Sequence, residues 1–185
     1  VINNGLDTNE FSPVNEVKRN EYRLITTASA DVPLKGLDFS LKALKKLKKD
    51  FPNIHLIVIG LIKKGGHTEK LIRKLGLEND VTFKSNLTKN EIKDCYSKSS
   101  IAIVSSLYEG FGYPVIEAMS CEIPLIATNV SSIPELTSEF AKLVDPKNEE
   151  MIYQSVKDIL SEYDKYKKIA IKGRQHVIKN FNWIK

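Results

Sequence analysis

Two carboxylates and a lysine are the residues most able to do chemistry in this chain. The run Tyr108-Glu109-Gly110-Phe111-Gly112-Tyr113-Pro114-Val115-Ile116-Glu117 follows an apolar stretch that ends at Ser105-Ser106. Its two glycines let backbone amides approach a ligand closely. Pro114 suits the first residue of a helix, which places Glu117 in that helix's first turn. A carboxylate accepting from two vicinal hydroxyls is the usual grip on ribose. Read singly, Glu117 could simply complement a helix dipole and Glu109 could be a solvated loop charge. Read together with the double-glycine loop, they point to a ligand site. Leu34-Lys35-Gly36 adds a cation at a strand-to-helix junction, where an ammonium and free helix amides can meet a phosphate.

A third stretch, Gly60 to His67, also joins a strand to a helix and carries Lys63 and Lys64. It ends Gly65-Gly66-His67, so it lacks the lysine and hydroxyl of a nucleotide-triphosphate loop. It reads either as a flexible basic loop or as one lying over an anionic ligand. Lys84, at the end of another strand, is a further candidate for phosphate or base contact.

These loops need a frame. The chain has 185 residues, 42% hydrophobic and 28% charged, which excludes a disordered chain and suits one compact domain. Basic residues exceed acidic ones by 28 − 23 = 5. That surplus alone fits nucleic acid, acidic lipid or a phosphate-bearing ligand. Cys95 and Cys121 make neither a disulfide framework nor a zinc pattern, and read as reduced thiols of a cytoplasmic protein. No segment is apolar enough to span a bilayer as a helix. His55 falls in an apolar strand and reads as a core histidine. No histidine cluster or paired aspartates suggest a metal site. The lysines of 42–49 form a basic helix face. It reads as a solvated surface, with the alternative of a peripheral position at an inner-membrane face should the acceptor be lipid-linked.

Short β-type runs alternate with helical ones. Strands are expected over 23–28, 54–60, 81–84, 101–105, 124–128 and 141–144. Helices are expected over 35–50, 68–75, 88–98, 114–120, 148–162 and 165–180. The helix over 35–50 has Leu37, Leu41, Leu44 and Leu47 on one stripe. Thr88 with Glu91 makes a capping box. Alternation without hairpin signals predicts a doubly wound parallel sheet covered on both faces, with ligands at the carboxyl ends of its strands.

The glutamate pair, within Glu-Gly-Phe-Gly-Tyr-Pro-Val-Ile-Glu-Ala-Met-Ser-Cys-Glu-Ile-Pro, resembles the signature of family 4 (group 1) GT-B glycosyltransferases. Residues 1–7 resemble that family's interdomain entry segment, taken here as 1–22. Residues 27–37 resemble its first strand and loop, 131–135 its loop after the fifth strand, and 181–183 its closing Phe-Ser-Trp. The resemblance implies a Rossmann-like domain with strand order 3-2-1-4-5-6, the C-terminal, nucleotide-sugar-binding half of a retaining enzyme. The acceptor domain would precede residue 1, with 164–185 a helix leading back to it. It implies a nucleoside-diphosphate sugar as substrate, no metal in this domain and no nucleic-acid partner. Glu117 would bind ribose. Glu109 would contact the sugar, as would the amides of Gly110, Phe111 and Gly112. Tyr113, Pro114 and Val115 complete the donor loop, and Lys35 would neutralise the diphosphate. Relatives often carry arginine five residues before that lysine. Here Ala30 stands there, so Lys35 acts with helix amides alone or Lys63 or Lys64 swings in. A nucleotide-sugar epimerase and a non-catalytic binding module of the same fold are the alternatives.

Overall fold

The computed structural model describes residues 4–14, 17–29 and 31–183. Six strands form one parallel sheet: β1 (Asn20–Thr27), β2 (His55–Ile59), β3 (Val81–Lys84), β4 (Ser99–Val104), β5 (Leu125–Thr128) and β6 (Lys142–Val144). Their order is β3-β2-β1-β4-β5-β6, the order that the family resemblance implies. The helices are α1 (Leu37–Asp50), α2 (His67–Leu75), α3 (Lys89–Lys98), α4 (Tyr113–Ser120), α5 (Ile133–Thr137), α6 (Glu149–Ser161) and α7 (Tyr163–Phe181).

Strand side chains alternate between two cores. Leu24, Leu56, Val58, Ile101 and Ile103 pack with the leucine stripe of α1 and with Ile152, Val156 and Ile159 of α6. Ile25, Ile57, Ala102 and Val104 face the other way, onto Tyr96 of α3, Ile116 and Met119 of α4 and Val177 of α7. Because both faces are covered, the strands read as continuous apolar runs.

Caps fix the helix ends. Thr88 and Glu91 form the expected box, and the Asn148 side chain accepts from the Met151 amide at 3.0 Å. Two guanidiniums lock the second core. Arg19 donates to the carbonyls of Tyr96, Ser99 and Cys121, each at 2.8 Å. Arg174 of α7 donates to the carbonyls of Phe11 and Ser120. The entry segment and the chain's end run together: Leu6 donates to the Phe181 carbonyl at 2.8 Å and accepts from Trp183. Residues 1–3, 15–16 and 184–185 of those segments lie outside the described residues.

The differences from the sequence reading have local causes. The helix expected from Lys35 is split. Pro33–Lys35 is a 3₁₀ turn, and Gly36 at φ 61° separates it from α1. A Cβ on Gly36 would stand 1.9 Å from the Ser105 carbonyl oxygen, so close approach as well as φ requires glycine here. Residues 133–137, read only as loop, form the short α5. Helix α4 begins at Tyr113, so Glu117 is in its second turn and not positioned to complement the dipole. His55 is half-buried rather than core, its Nε2 2.9 Å from the Thr82 hydroxyl, and burial lowers its pKa. Of the basic α1 face, Lys46 pairs with Glu150 at 2.8 Å and Lys48 with Asp80 at 2.6 Å. No helix among the described residues is long and apolar enough to cross a membrane.

Candidate functional site

The carboxyl ends of β1 and β4 lie side by side, and the loops leaving them are bonded together. The Leu107 amide donates to the Leu34 carbonyl at 2.7 Å. The Ser105 hydroxyl donates to the Gly36 carbonyl at 3.0 Å and accepts from Ser40 at 2.9 Å. This knot brings Lys35 to Glu109. Lys35 Nζ is 2.7 Å from Glu109 Oε1, and the buried Ser106 hydroxyl donates to the same oxygen at 2.6 Å. Glu109 is 8% exposed, so it is not the solvated loop charge that its sequence context allowed.

The rest of the loop is pinned from β5 and α5. Thr128 donates its hydroxyl to the Ser106 carbonyl at 2.5 Å, and Ser132 donates to the Phe111 carbonyl at 2.9 Å. Phe111 packs edge-on against Tyr113, ring centroids 5.2 Å apart. Gly112 caps α4 in the left-handed region, φ 99°. The Val115 amide donates to the Gly112 carbonyl at 2.9 Å, and Pro114 has no N–H. Neither therefore offers a spare amide donor to a ligand.

The loop borders three open depressions. One, of about 380 Å³, includes Asp31, Gly36, His67 and Leu107. A second, of about 460 Å³, includes Gly110, Phe111 and Ser132. The third, of about 400 Å³, includes Leu6, Lys89, Ile92, Tyr113 and Glu117. Glu117 reaches this third depression from the inner side of α4. Its Oε2 accepts from the Tyr96 hydroxyl at 3.3 Å, and that hydroxyl is 3.1 Å from Thr27 Oγ1. Burial of the carboxylate outweighs this hydrogen bond and pushes its pKa up to about 7.

The other cations sit apart from the Lys35–Glu109 pair. Lys63 and Lys64 are exposed on a loop held by the Gly65 amide donating to Glu69 at 2.6 Å. Asp31 ties the loop after β1 to α2, accepting from the Thr68 amide at 2.8 Å, which lowers its pKa. Lys84 lines a separate depression with His55, Thr82, Cys95 and Lys98. Ala30 lies outside the described residues. Ser106, Tyr96, Thr27 and Ser132 were given no role from the sequence. Ser106 ended an apolar strand and Thr27 and Ser132 fell in segments that carry the family resemblance; Tyr96 gave no signal.

Comparison with known proteins follows the same lines. A family model described as "Glycosyl transferases group 1" matches residues 8–176. The MMP alpha-(1->4)-mannosyltransferase of Mycolicibacterium hassiacum is 32% identical over 99% of this chain and 44% of its own length. The chain thus spans under half of that relative. The solved C-terminal domain of a glycosyl transferase group 1 family protein from Francisella tularensis superposes with TM-score 0.83 at 26% identity, covering 97% of this chain and all of that one. An Anabaena protein solved in complex with UDP-glucose shares the fold, with TM-score 0.83 at 20% identity over 96% of this chain and 52% of its own.

Proposed function

Because the chain belongs to the group 1 glycosyl transferases, we propose that it supplies the donor site for transfer of a hexosyl group from a nucleoside-diphosphate sugar, with retention at the anomeric carbon. The observation that carries this reading is the convergence of Lys35 and Glu109 at 2.7 Å where β1 and β4 end, with Glu117 in the adjoining depression. Ligands of open α/β sheets bind at such strand ends.

In this reading Glu117 accepts from the ribose hydroxyls. Lys35 turns from Glu109 toward the diphosphate, and Glu109 is freed to accept from hydroxyls of the sugar. It orients the sugar and is not a nucleophile. As the C1–O bond breaks, negative charge grows on the leaving diphosphate. A cation already fixed there stabilises the transition state more than the bound donor, which is what accelerates the step. The acceptor site is assigned to another part of a longer protein, and this chain by itself transfers nothing. The relative named as a mannosyltransferase supports mannose as the first sugar to try. Binding of UDP-glucose by a fold neighbour supports a nucleoside-diphosphate sugar in general.

A thermal-shift series with GDP, UDP, ADP, GDP-mannose and UDP-glucose tests the reading. A ligand at 100 times its dissociation constant stabilises the fold by about 2.7 kcal/mol. No shift with any of the five overturns it. The anomer formed by the longer protein, read by NMR, tests retention.

A further inference from the structure

The buried phenol behind Glu117 has no part in the donor contacts described above, yet it is placed to govern them. Tyr96 is 1% exposed, in the last turns of α3, with its ring inside the core. Its hydroxyl is the sole polar atom of that side chain, and it sits between Thr27 Oγ1 at 3.1 Å and Glu117 Oε2 at 3.3 Å. Thr27 lies on the last residue of β1, α3 packs across β1, and Glu117 comes from α4. Three elements therefore meet at one hydroxyl. Arg19 fixes the C-terminal end of α3 through the carbonyls of Tyr96 and Ser99, and burial of the ring in the core confines the phenol beside the carboxylate.

We propose that Tyr96 is a positioning residue for ligand binding: held by Thr27, its hydroxyl donates to Oε2 of Glu117 and so aims Oε1 into the depression as the acceptor for vicinal hydroxyls of a nucleotide. This rests on Glu117 being the ribose-binding group. A carboxyl on a helix facing an open pocket has several staggered orientations, and one fixed oxygen selects among them. The same bond favours the ionised carboxylate, which accepts hydroxyls more strongly than the neutral acid. Burial pushes the ionisation of Tyr96 itself well above the ordinary phenol range, so it remains a donor.

The neighbouring groups leave this task to Tyr96. On the entry segment, Asp7 accepts from the Asn9 and Glu10 amides, and Glu10 pairs with Lys89 of α3 at 2.6 Å. Tyr113 lines the same depression, and Cys121, just past the end of α4, has its thiol pushed up to about 12 by burial, so it stays neutral. Hydrogen bonding from Tyr96 is what holds the Glu117 pKa down against desolvation.

The test measures GDP and UDP affinity by calorimetry as a function of pH, for the parent chain, Tyr96→Phe, Thr27→Val and Glu117→Gln. Affinity in the parent should fall as pH drops through about 7, as Glu117 takes up its proton. Tyr96→Phe should weaken binding by about tenfold at neutral pH and move that fall to higher pH, because the ionised carboxylate loses its donor. Thr27→Val, which leaves the phenol in place, should move it the same way by less. Glu117→Gln should remove the part of the pH dependence that Glu117 contributes, leaving only that of the nucleotide's terminal phosphate, which ionises at about pH 6. Loss of discrimination between each nucleotide and its 2′-deoxy analogue in Tyr96→Phe is the second readout. Unchanged affinity and an unchanged midpoint in both Tyr96→Phe and Thr27→Val overturn the proposal. If Glu117→Gln is also silent, the ribose assignment is what fails, and if neither nucleotide binds the parent chain, the donor-site reading fails. Should Tyr96→Phe not fold, Thr27→Val alone decides.

Discussion

Glu109 and Glu117 are eight residues apart, and the protein treats them in opposite ways. Glu109 lies in a loop, nearly inaccessible, with an ammonium and a hydroxyl on one oxygen. Glu117 lies on a helix beside an open depression, with one long hydrogen bond and a pKa raised to about 7 by burial. The first is compensated before any ligand arrives. The second is left under-compensated, a state that a ligand's hydroxyls can relieve. Where a charge is fully paired, binding must first exchange partners. Where it is not, binding can supply the missing ones.

The sharpest way to break this contrast is Lys35→Ala. It removes the partner of Glu109 and, in the proposed role, the cation on the leaving diphosphate. Turnover of the longer protein should fall by about 100- to 1000-fold, the usual scale for losing one such donor. Nucleoside-diphosphate affinity should fall less than turnover, and nucleoside affinity hardly at all. Steady-state kinetics beside calorimetry separates the three. Equal losses for nucleoside and diphosphate would place Lys35 outside the phosphate site.

Glu117→Gln probes the other carboxylate and should act in two directions at once. Nucleotide binding at neutral pH should weaken by about 1.5–3 kcal/mol, the scale for a hydrogen bond to a charged group. The ligand-free fold should become more stable at about pH 8. The sign follows from linkage: a carboxyl whose pKa is raised on folding binds its proton more tightly in the native state. Its contribution is present at low pH and is lost as pH rises from its ordinary 4.5 through about 7. The amide has no such loss, so its advantage over the parent is at most about 3 kcal/mol and should vanish near pH 4. Chemical denaturation at several pH values measures it. An amide variant less stable than the parent at pH 8 contradicts the raised pKa.

Ser106→Ala sharpens the comparison from the compensated side. Ser106 is 2% exposed and its hydroxyl donates to Glu109 Oε1. Without it Lys35 still pairs with Glu109, so donor affinity should change by about two- to tenfold, the range of one ordinary hydrogen bond. Calorimetry with the nucleotide sugar reads it, and a loss as large as that of Lys35→Ala would mean that the serine touches the ligand itself.

Sequence periodicity carried the frame well. The leucine stripe of α1, the Thr88–Glu91 box and the apolar strands each depend on residues within one or two turns, so the elements and most helix bounds were legible, whereas the strand order came with the family resemblance. The site's residue types were legible too, because a double-glycine loop between two glutamates is local. Their partners were not. Lys35 and Glu109 are 74 positions apart, and Thr27 and Tyr96 are 69. Such pairings arise only when parallel strands are laid side by side. The break at Gly36 was hidden for the same reason, since its cause is a carbonyl of Ser105. The short α5 was missed because five residues are too few for a helical period to show.

Lys63→Ala with Lys64→Ala should have the smallest effect. Both ammoniums are exposed, on a loop whose shape is set by Glu69 receiving the Gly65 amide and by Lys63 accepting from Gly66 at 3.0 Å through its backbone. Neither contact needs a lysine side chain. Exposed charges act on an anion mainly through a field that salt screens within about 10 Å at 0.1 M ionic strength. The double variant should therefore change diphosphate affinity by no more than about threefold, with the difference disappearing as salt is raised. The loop beside it is tied to the site by Asp31 and Thr68, so a direct role for these lysines requires them to swing over that staple. A large, salt-independent loss in the double variant, with Lys35→Ala nearly silent, would move the phosphates to the Gly65-Gly66 loop and reverse the comparison between the two carboxylates.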